Sequence, residues 1–130
     1  MTISLDRNTR EILDGKCFPS LATVGPDGSA RTSVIWAHRD GDTVLFVVAK
    51  DGRKHRDILH NNRISMSVFA LSDPYTSVEI RGTAEVTVEG AEKAAEELMM
   101  KYWGKVTPAG DTSILVRLTP TRMVHHPERA

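Results

Sequence analysis

The sequence predicts a mainly β protein with flanking helices, built as a small antiparallel barrel of six strands. Three observations carry this. Two tight turns, Gly25-Pro26-Asp27-Gly28 and Asp40-Gly41-Asp42, separate three β-rich runs. Residues 76–88 alternate over a long stretch: Val78, Ile80, Ala84, Val86 and Val88 share one parity, and Glu79, Arg81, Glu85 and Thr87 the other. Helical periodicity is confined to a few short segments. Closely spaced hairpins with few helices are the mark of such a barrel.

Taken in order, Ser4 is positioned to cap a helix over about residues 5–14, with Ile12 and Leu13 on its apolar side and Gly15 as its stop. A first strand covers 18–24. Proline fixes φ in the following turn and glycine accepts φ > 0. The second strand is expected at 30–38. The third, at 43–49, is nearly all apolar and is expected to be buried on both faces. A short basic helix follows at 52–60, then a fourth strand at 63–70 and a loop at 71–74. The long fifth strand at 76–88 is interrupted by Gly82, which marks a bulge or a close backbone approach. Ala91, Ala94, Ala95, Leu98, Met99 and Tyr102 recur at helical spacing over 91–103, Gly104 ends that helix, and a sixth strand covers 113–125.

The chain has 130 residues, expected to form one domain over 1–130, with 17 basic and 17 acidic side chains. A nucleic-acid binder usually carries a basic excess, so that class is disfavoured. The single cysteine, Cys17, excludes an intrachain disulfide and a multi-cysteine metal site. No apolar run approaches the roughly 20 residues that span a bilayer, and the N-terminus lacks the apolar run of a signal peptide. The expectation is a soluble, cytoplasmic protein with no membrane partner.

The short basic helix is the strongest functional signal. Lys50, Arg53, Lys54 and Arg56 crowd its N-terminus, where the macrodipole is already positive and free N–H groups point outward. A helix with no other task prefers Asp or Glu there. Cations clustered at that place fit an anion, most commonly a phosphate. The rival reading is a solvated charged face. His125-His126 lacks a third ligand at useful spacing, so no metal is expected; a fraying strand end explains the pair. His38, His55 and His60 read as surface residues, with His55 the nearest to a ligand. Trp36 reads as core or as a ligand contact. Cys17 reads as buried or half-buried.

The motifs in order resemble those of the pyridoxamine 5'-phosphate oxidase-like split β-barrel superfamily. They are Leu21-Ala22-Thr23, Asp27-Gly28, Ser33-Val34-Ile35-Trp36, Phe46-Val47-Val48-Ala49 with Arg53-Lys54, Asn61-Asn62-Arg63-Ile64-Ser65, Asp73-Pro74-Tyr75 and Val78-Glu79-Ile80-Arg81-Gly82. The resemblance covers nearly the whole chain. It implies an FMN-binding type of split barrel, a homodimer, and a flavin or deazaflavin in a groove between subunits. It places Ser33, Val34, Ile35 and Trp36 beside the cofactor ring and Val48, Ala49, Lys50, Arg53 and Lys54 at its phosphate end. Tyr75 and Ser77 are implied to reach in from the partner.

Departures from the pattern narrow the expectation. Pyridoxamine phosphate oxidases carry an Arg and a Lys on the second strand where this chain has Thr32 and Ala37, and a Gln where it has Ser77. At 130 residues the chain is also shorter than they are, and a C-terminal substrate-binding segment like theirs is not expected. Vitamin B6 oxidation is disfavoured. The pattern is closest to the branch that uses the deazaflavin coenzyme F420, with FMN as the alternative cofactor. The implied activity is hydride transfer to a small organic acceptor: an enone, imine, quinone or tetrapyrrole-like molecule. The alternatives are an FMN oxidoreductase and a non-catalytic protein that sequesters flavin, deazaflavin or haem. The sequence singles out no catalytic acid.

Overall fold

The computed structural model describes residues 2–108 and 112–127. Its elements run α1 (Arg7–Asp14), β1 (Ser20–Val24), β2 (Ala30–Val34), β3 (His38–Asp40), β4 (Thr43–Ala49), α2 (Arg53–His60), β5 (Arg63–Ala70), β6 (Asp73–Thr87), α3 (Ala91–Trp103) and β7 (Ser113–His126). The strands make one antiparallel sheet in the order β2-β1-β5-β6-β7-β4-β3.

There are thus seven strands, not the expected six. The run predicted as one strand over 30–38 breaks after Val34 and resumes at His38. The two pieces, β2 and β3, follow each other in the chain yet form opposite edges of the sheet. Four residue steps reach about 14 Å at most. The end of one edge strand therefore lies close to the start of the other, and the sheet rolls up without closing.

The inner face of that roll is the core. Leu21, Phe46, Met66, Ile80 and Leu118 are buried there, joined by Ile12 and Leu13 of α1 and Ile58 of α2. The expectation that β4 is buried on both faces is corrected. Val44, Phe46 and Val48 are buried, but Thr43, Leu45 and Val47 are half-buried. That outer face carries α3, which packs on β4 and β7 through Ala91, Ala95 and Leu98, residues buried outside the barrel core. Its C-terminus is fixed by Gly104 at φ +73°, whose N–H reaches the carbonyl of Met100 at 3.0 Å.

Other boundaries shift for local reasons. Asp6, not Ser4, caps α1, accepting the N–H of Thr9 at 2.8 Å. β1 starts at Ser20 rather than at 18, and β6 runs from Asp73 to Thr87, leaving Val88 exposed. Gly82 does mark a close approach. A Cβ there would sit 2.0 Å from the carbonyl oxygen of Thr119, and the β6–β7 register shifts between Arg81 and Gly82. The end of β7 is paired rather than frayed: His125 lies opposite Val78 and its Nε2 is 3.2 Å from the carboxylate of Asp6.

Candidate functional site

The site begins at the gap between the sheet edges. Residues 35–37 bridge it. The N–H of Ile35 still donates to the carbonyl of Pro19 at 2.9 Å, continuing the β1–β2 pairing. Beyond it no strand is in reach, and side chains of α3 take over. The N–H of Ala37 donates to the hydroxyl of Tyr102 at 3.2 Å, and Lys101 Nζ donates to the carbonyl of Ala37 at 2.7 Å. Trp36 stacks on Tyr102, with ring centroids 5.0 Å apart and planes within 3°, and meets Trp103 edge-on at 4.8 Å. Trp36 is thus half-buried against aromatic neighbours and also lines a cavity.

That cavity has a volume of about 490 Å³, within the usual range for small-molecule sites. Val34, Ile35 and Trp36 line one part of it, and Ala95, Leu98 and Met99 of α3 line another. Val47, Pro108, Ser113 and Lys54 complete it. Most of the lining residues are apolar in type, although polar atoms make up the larger share of the exposed lining, and among the described residues Lys54 is its one charged member. No carboxylate among the described residues pairs with Lys54.

The local fold of α2 explains how Lys54 arrives there. Asp51 adopts φ +61°, a strained position for a residue with a side chain. His55 holds it, its Nδ1 accepting the N–H of Asp51 at 3.0 Å. His55 is buried, which corrects its expected surface position; a histidine inside a basic run reads as solvated unless the turn it braces is visible. Asp57 is 1% exposed, accepting from Thr23 Oγ1 at 2.9 Å and from Arg31 Nη1 at 3.3 Å. This pairing pins α2 to β1 and β2. The helix has no acid in its first turn and no side-chain cap at Gly52.

The other sequence-predicted site residues are distributed unevenly. Val48 points into the core, and its neighbour Val47 lines the cavity instead; the two-residue period of a strand makes them alternatives. Ser33 is half-buried on β2, opposite Leu21. Ala49 pairs with the lining residue Ser113, and exposed Lys50 donates its N–H to the carbonyl of Thr112 at 2.8 Å. Arg53 is exposed and lies apart from Lys54, in a recess of about 240 Å³ with Pro26, Arg31, Arg56 and Asp57. Tyr75 is 88% exposed, and Ser77 pairs with His126, at the opposite end of β7 from Ser113.

Sequence reasoning missed the α3 wall. Ala95, Leu98 and Met99 read as helix core because their spacing is that of any packed helix. A second trough, of about 780 Å³, carries Arg63, Arg81 and Arg122 on the outer face of β5, β6 and β7. It includes none of the predicted site residues. Among the described residues no group of three or more His, Cys, Asp or Glu gathers for a metal, and no helix is long and apolar enough to cross a membrane.

Comparison with known proteins follows the same fold. The chain superposes on a solved F420 reductase with a TM-score of 0.83 and 27% identity, over 92% of this chain and 98% of that one. It superposes on a conserved hypothetical protein of Mycobacterium tuberculosis with a TM-score of 0.78 and 16% identity, over 95% and 85% of the two chains. HupZ of Group A Streptococcus matches with a TM-score of 0.74 and 18% identity, over 94% of each chain. At such identities the last two bear on the fold alone. No curated protein matches by sequence. The model of the pyridoxamine 5'-phosphate oxidase family matches residues 5–126, and the chain belongs to that family.

Proposed function

We propose that this protein is an oxidoreductase that binds coenzyme F420 and passes a hydride to a small organic acceptor, an enone, imine, quinone or tetrapyrrole-like molecule. Residues 1–130 act as one cofactor-binding domain. The observation that carries this reading is the cavity itself: about 490 Å³, lined largely by apolar side chains, with Lys54 as its one cation among the described residues. An elongated ring system with a phosphate on its side chain has that complementarity. The likeness to an F420 reductase at 27% identity supports the choice of cofactor.

Lys54 neutralises the phosphate by a charge-assisted hydrogen bond, and the uncapped start of α2 adds its N–H groups. Arg53, in its separate recess, adds to the positive charge at the start of the same helix. Ala37 sharpens this assignment, because it is fully buried with its backbone engaged by α3 and offers nothing to a phosphate. Ser33 and the Val34–Trp36 wall hold the ring and keep water from its face, with Val48 backing them from the core. Ala49 and Lys50 flank the phosphate end. The bound cofactor supplies the hydride chemistry; solvent or the substrate supplies the proton.

Tyr75 and Ser77 lie at the far end of the β6–β7 ribbon from this chain's own cavity, which is compatible with the arrangement the family resemblance implies: a homodimer with the cofactor in the groove between subunits, and these two residues serving the partner's cavity. FMN is the second cofactor candidate, on the family's own character, and sequestration without turnover is the second role.

Equilibrium titration with F420 and with FMN tests the assignment. F420 is expected to bind more tightly, and clear preference for FMN refutes it. Arg53→Ala with Lys54→Ala is expected to weaken binding by roughly 10- to 100-fold, the worth of one charge-assisted hydrogen bond. Unchanged affinity would reduce these cations to a solvated face. Oxidation of reduced F420 by a panel of acceptors then separates a reductase from a sequestering protein.

A further inference from the structure

Three buried backbone segments near the cavity depend on the last turn of α3. Lys101 Nζ donates to the carbonyls of Leu13 and Ala37, each at 2.7 Å. The hydroxyl of Tyr102 donates to the carbonyl of Cys17 and accepts the N–H of Ala37 at 3.2 Å. Leu13, Cys17 and Ala37 are essentially inaccessible to water, so these groups have no solvent to fall back on. The ring of Tyr102 also carries Trp36. Neither Lys101 nor Tyr102 lines the cavity. Yet Ile35 and Trp36 of the link they hold line it, and so do Ala95, Leu98 and Met99 of the same helix.

We propose that Lys101 and Tyr102 are positioning residues for the ligand. They fix the Ile35–Ala37 link, whose Ile35 and Trp36 line the cavity, relative to the lining residues of α3, and so set the shape of the space that receives a planar ring. Past the Ile35 bond to Pro19 the link leaves the strand ladder until His38 joins β3, and its backbone bonds at Ala37 go to side chains of α3. Without the two side chains its polar groups would seek other partners, and Trp36 would lose its register over Tyr102. A helix that lines one part of the cavity and bolts down another keeps that shape constant. This inference rests on the cofactor reading above.

Two variants test it. Tyr102→Phe keeps the ring stacked on Trp36 and deletes the hydroxyl. Lys101→Met keeps the chain length and deletes the donor. Dissociation constants for F420 and FMN are measured beside amide exchange at Ala37, with Gly28→Ala as a control that destabilises a remote turn. Both variants are expected to bind the preferred cofactor roughly tenfold more weakly, the effect of one buried group left unpaired, with faster exchange at Ala37. The control is expected to keep wild-type affinity. Folded variants that bind as tightly as wild type overturn the inference. If Tyr102→Phe fails to fold, Lys101→Met decides. Wild-type protein that binds neither cofactor overturns the cofactor reading, and this inference with it.

Discussion

Gly82→Ala places a methyl group where the structure has a carbonyl oxygen. The added Cβ would lie 2.0 Å from Thr119 O and 2.8 Å from Leu118 Cδ1, whereas real Cβ contacts stay above 3.0 Å. The φ of Gly82 is not in the left-handed region, so the cost is steric rather than conformational. The blocking atom is backbone and cannot rotate away, so β6 and β7 must part locally by about 1 Å. That strains the flanking pairs Arg81–Arg122 and Thr83–Thr119 and loosens Leu118, which is fully buried. Two ladder hydrogen bonds at about 1 kcal/mol each and a similar packing loss give about 3 kcal/mol. Reduced entropy of the unfolded chain returns about 0.4–1 kcal/mol. The net loss is about 2–3 kcal/mol, a large share of the roughly 5–15 kcal/mol of a typical domain. Urea denaturation measures it as a midpoint lowered by about 1–2 M. Gly28→Ala is the reference: its φ is +85° but nothing lies within 4 Å of its Cβ, so it is expected to cost about 1 kcal/mol. A Gly82→Ala protein as stable as the Gly28→Ala protein would refute the reasoning.

Two further outcomes are expected. Asp57→Asn leaves Arg31 without its buried counter-ion and should cost about 2–3 kcal/mol in urea unfolding, at the lower end for a broken buried pair because the Arg31 side chain is 29% exposed; wild-type stability in this variant would mean that α2 is held by packing alone. Burial pushes the Tyr102 hydroxyl up to about 12, so the folded state holds that proton more tightly than the unfolded state. Its contribution to stability is present in full below pH 10 and is lost as pH rises from 10 to 12. Tyr102→Phe should therefore flatten the alkaline limb of the stability profile, and an unchanged slope would show that the hydroxyl is not held as described.

Much of the fold was legible because its signals are local. Glycine inside the alternating run around residue 82 announced a close approach, and one was found. Gly41 and Gly104 sit at positive φ, where the turn and the helix end were expected. What failed was non-local. Nothing in Ser33-Val34-Ile35-Trp36-Ala37-His38 reveals that the sheet runs out of partners after Val34, because that depends on which strands become edges. At the site, Val34, Ile35, Trp36 and Lys54 did converge. Arg53 did not join Lys54, since consecutive helical residues point about 100° apart and only one could face the cavity. The roles of Lys101 and Tyr102 were hidden because their partners lie 64 to 88 residues away.

The unclosed barrel has a consequence for how the protein meets other chains. Bare sheet edges normally recruit foreign strands, and natural proteins blunt them by shortness, charge or cover. Here the two edge strands are joined by only three residues, 35–37, and β3 contributes only three residues of ladder. An extended peptide would have to displace Trp36 and the end of α3 to pair there. A small flat molecule needs no such displacement. Short edges and a covered link thus leave little continuous ladder for a foreign strand to extend.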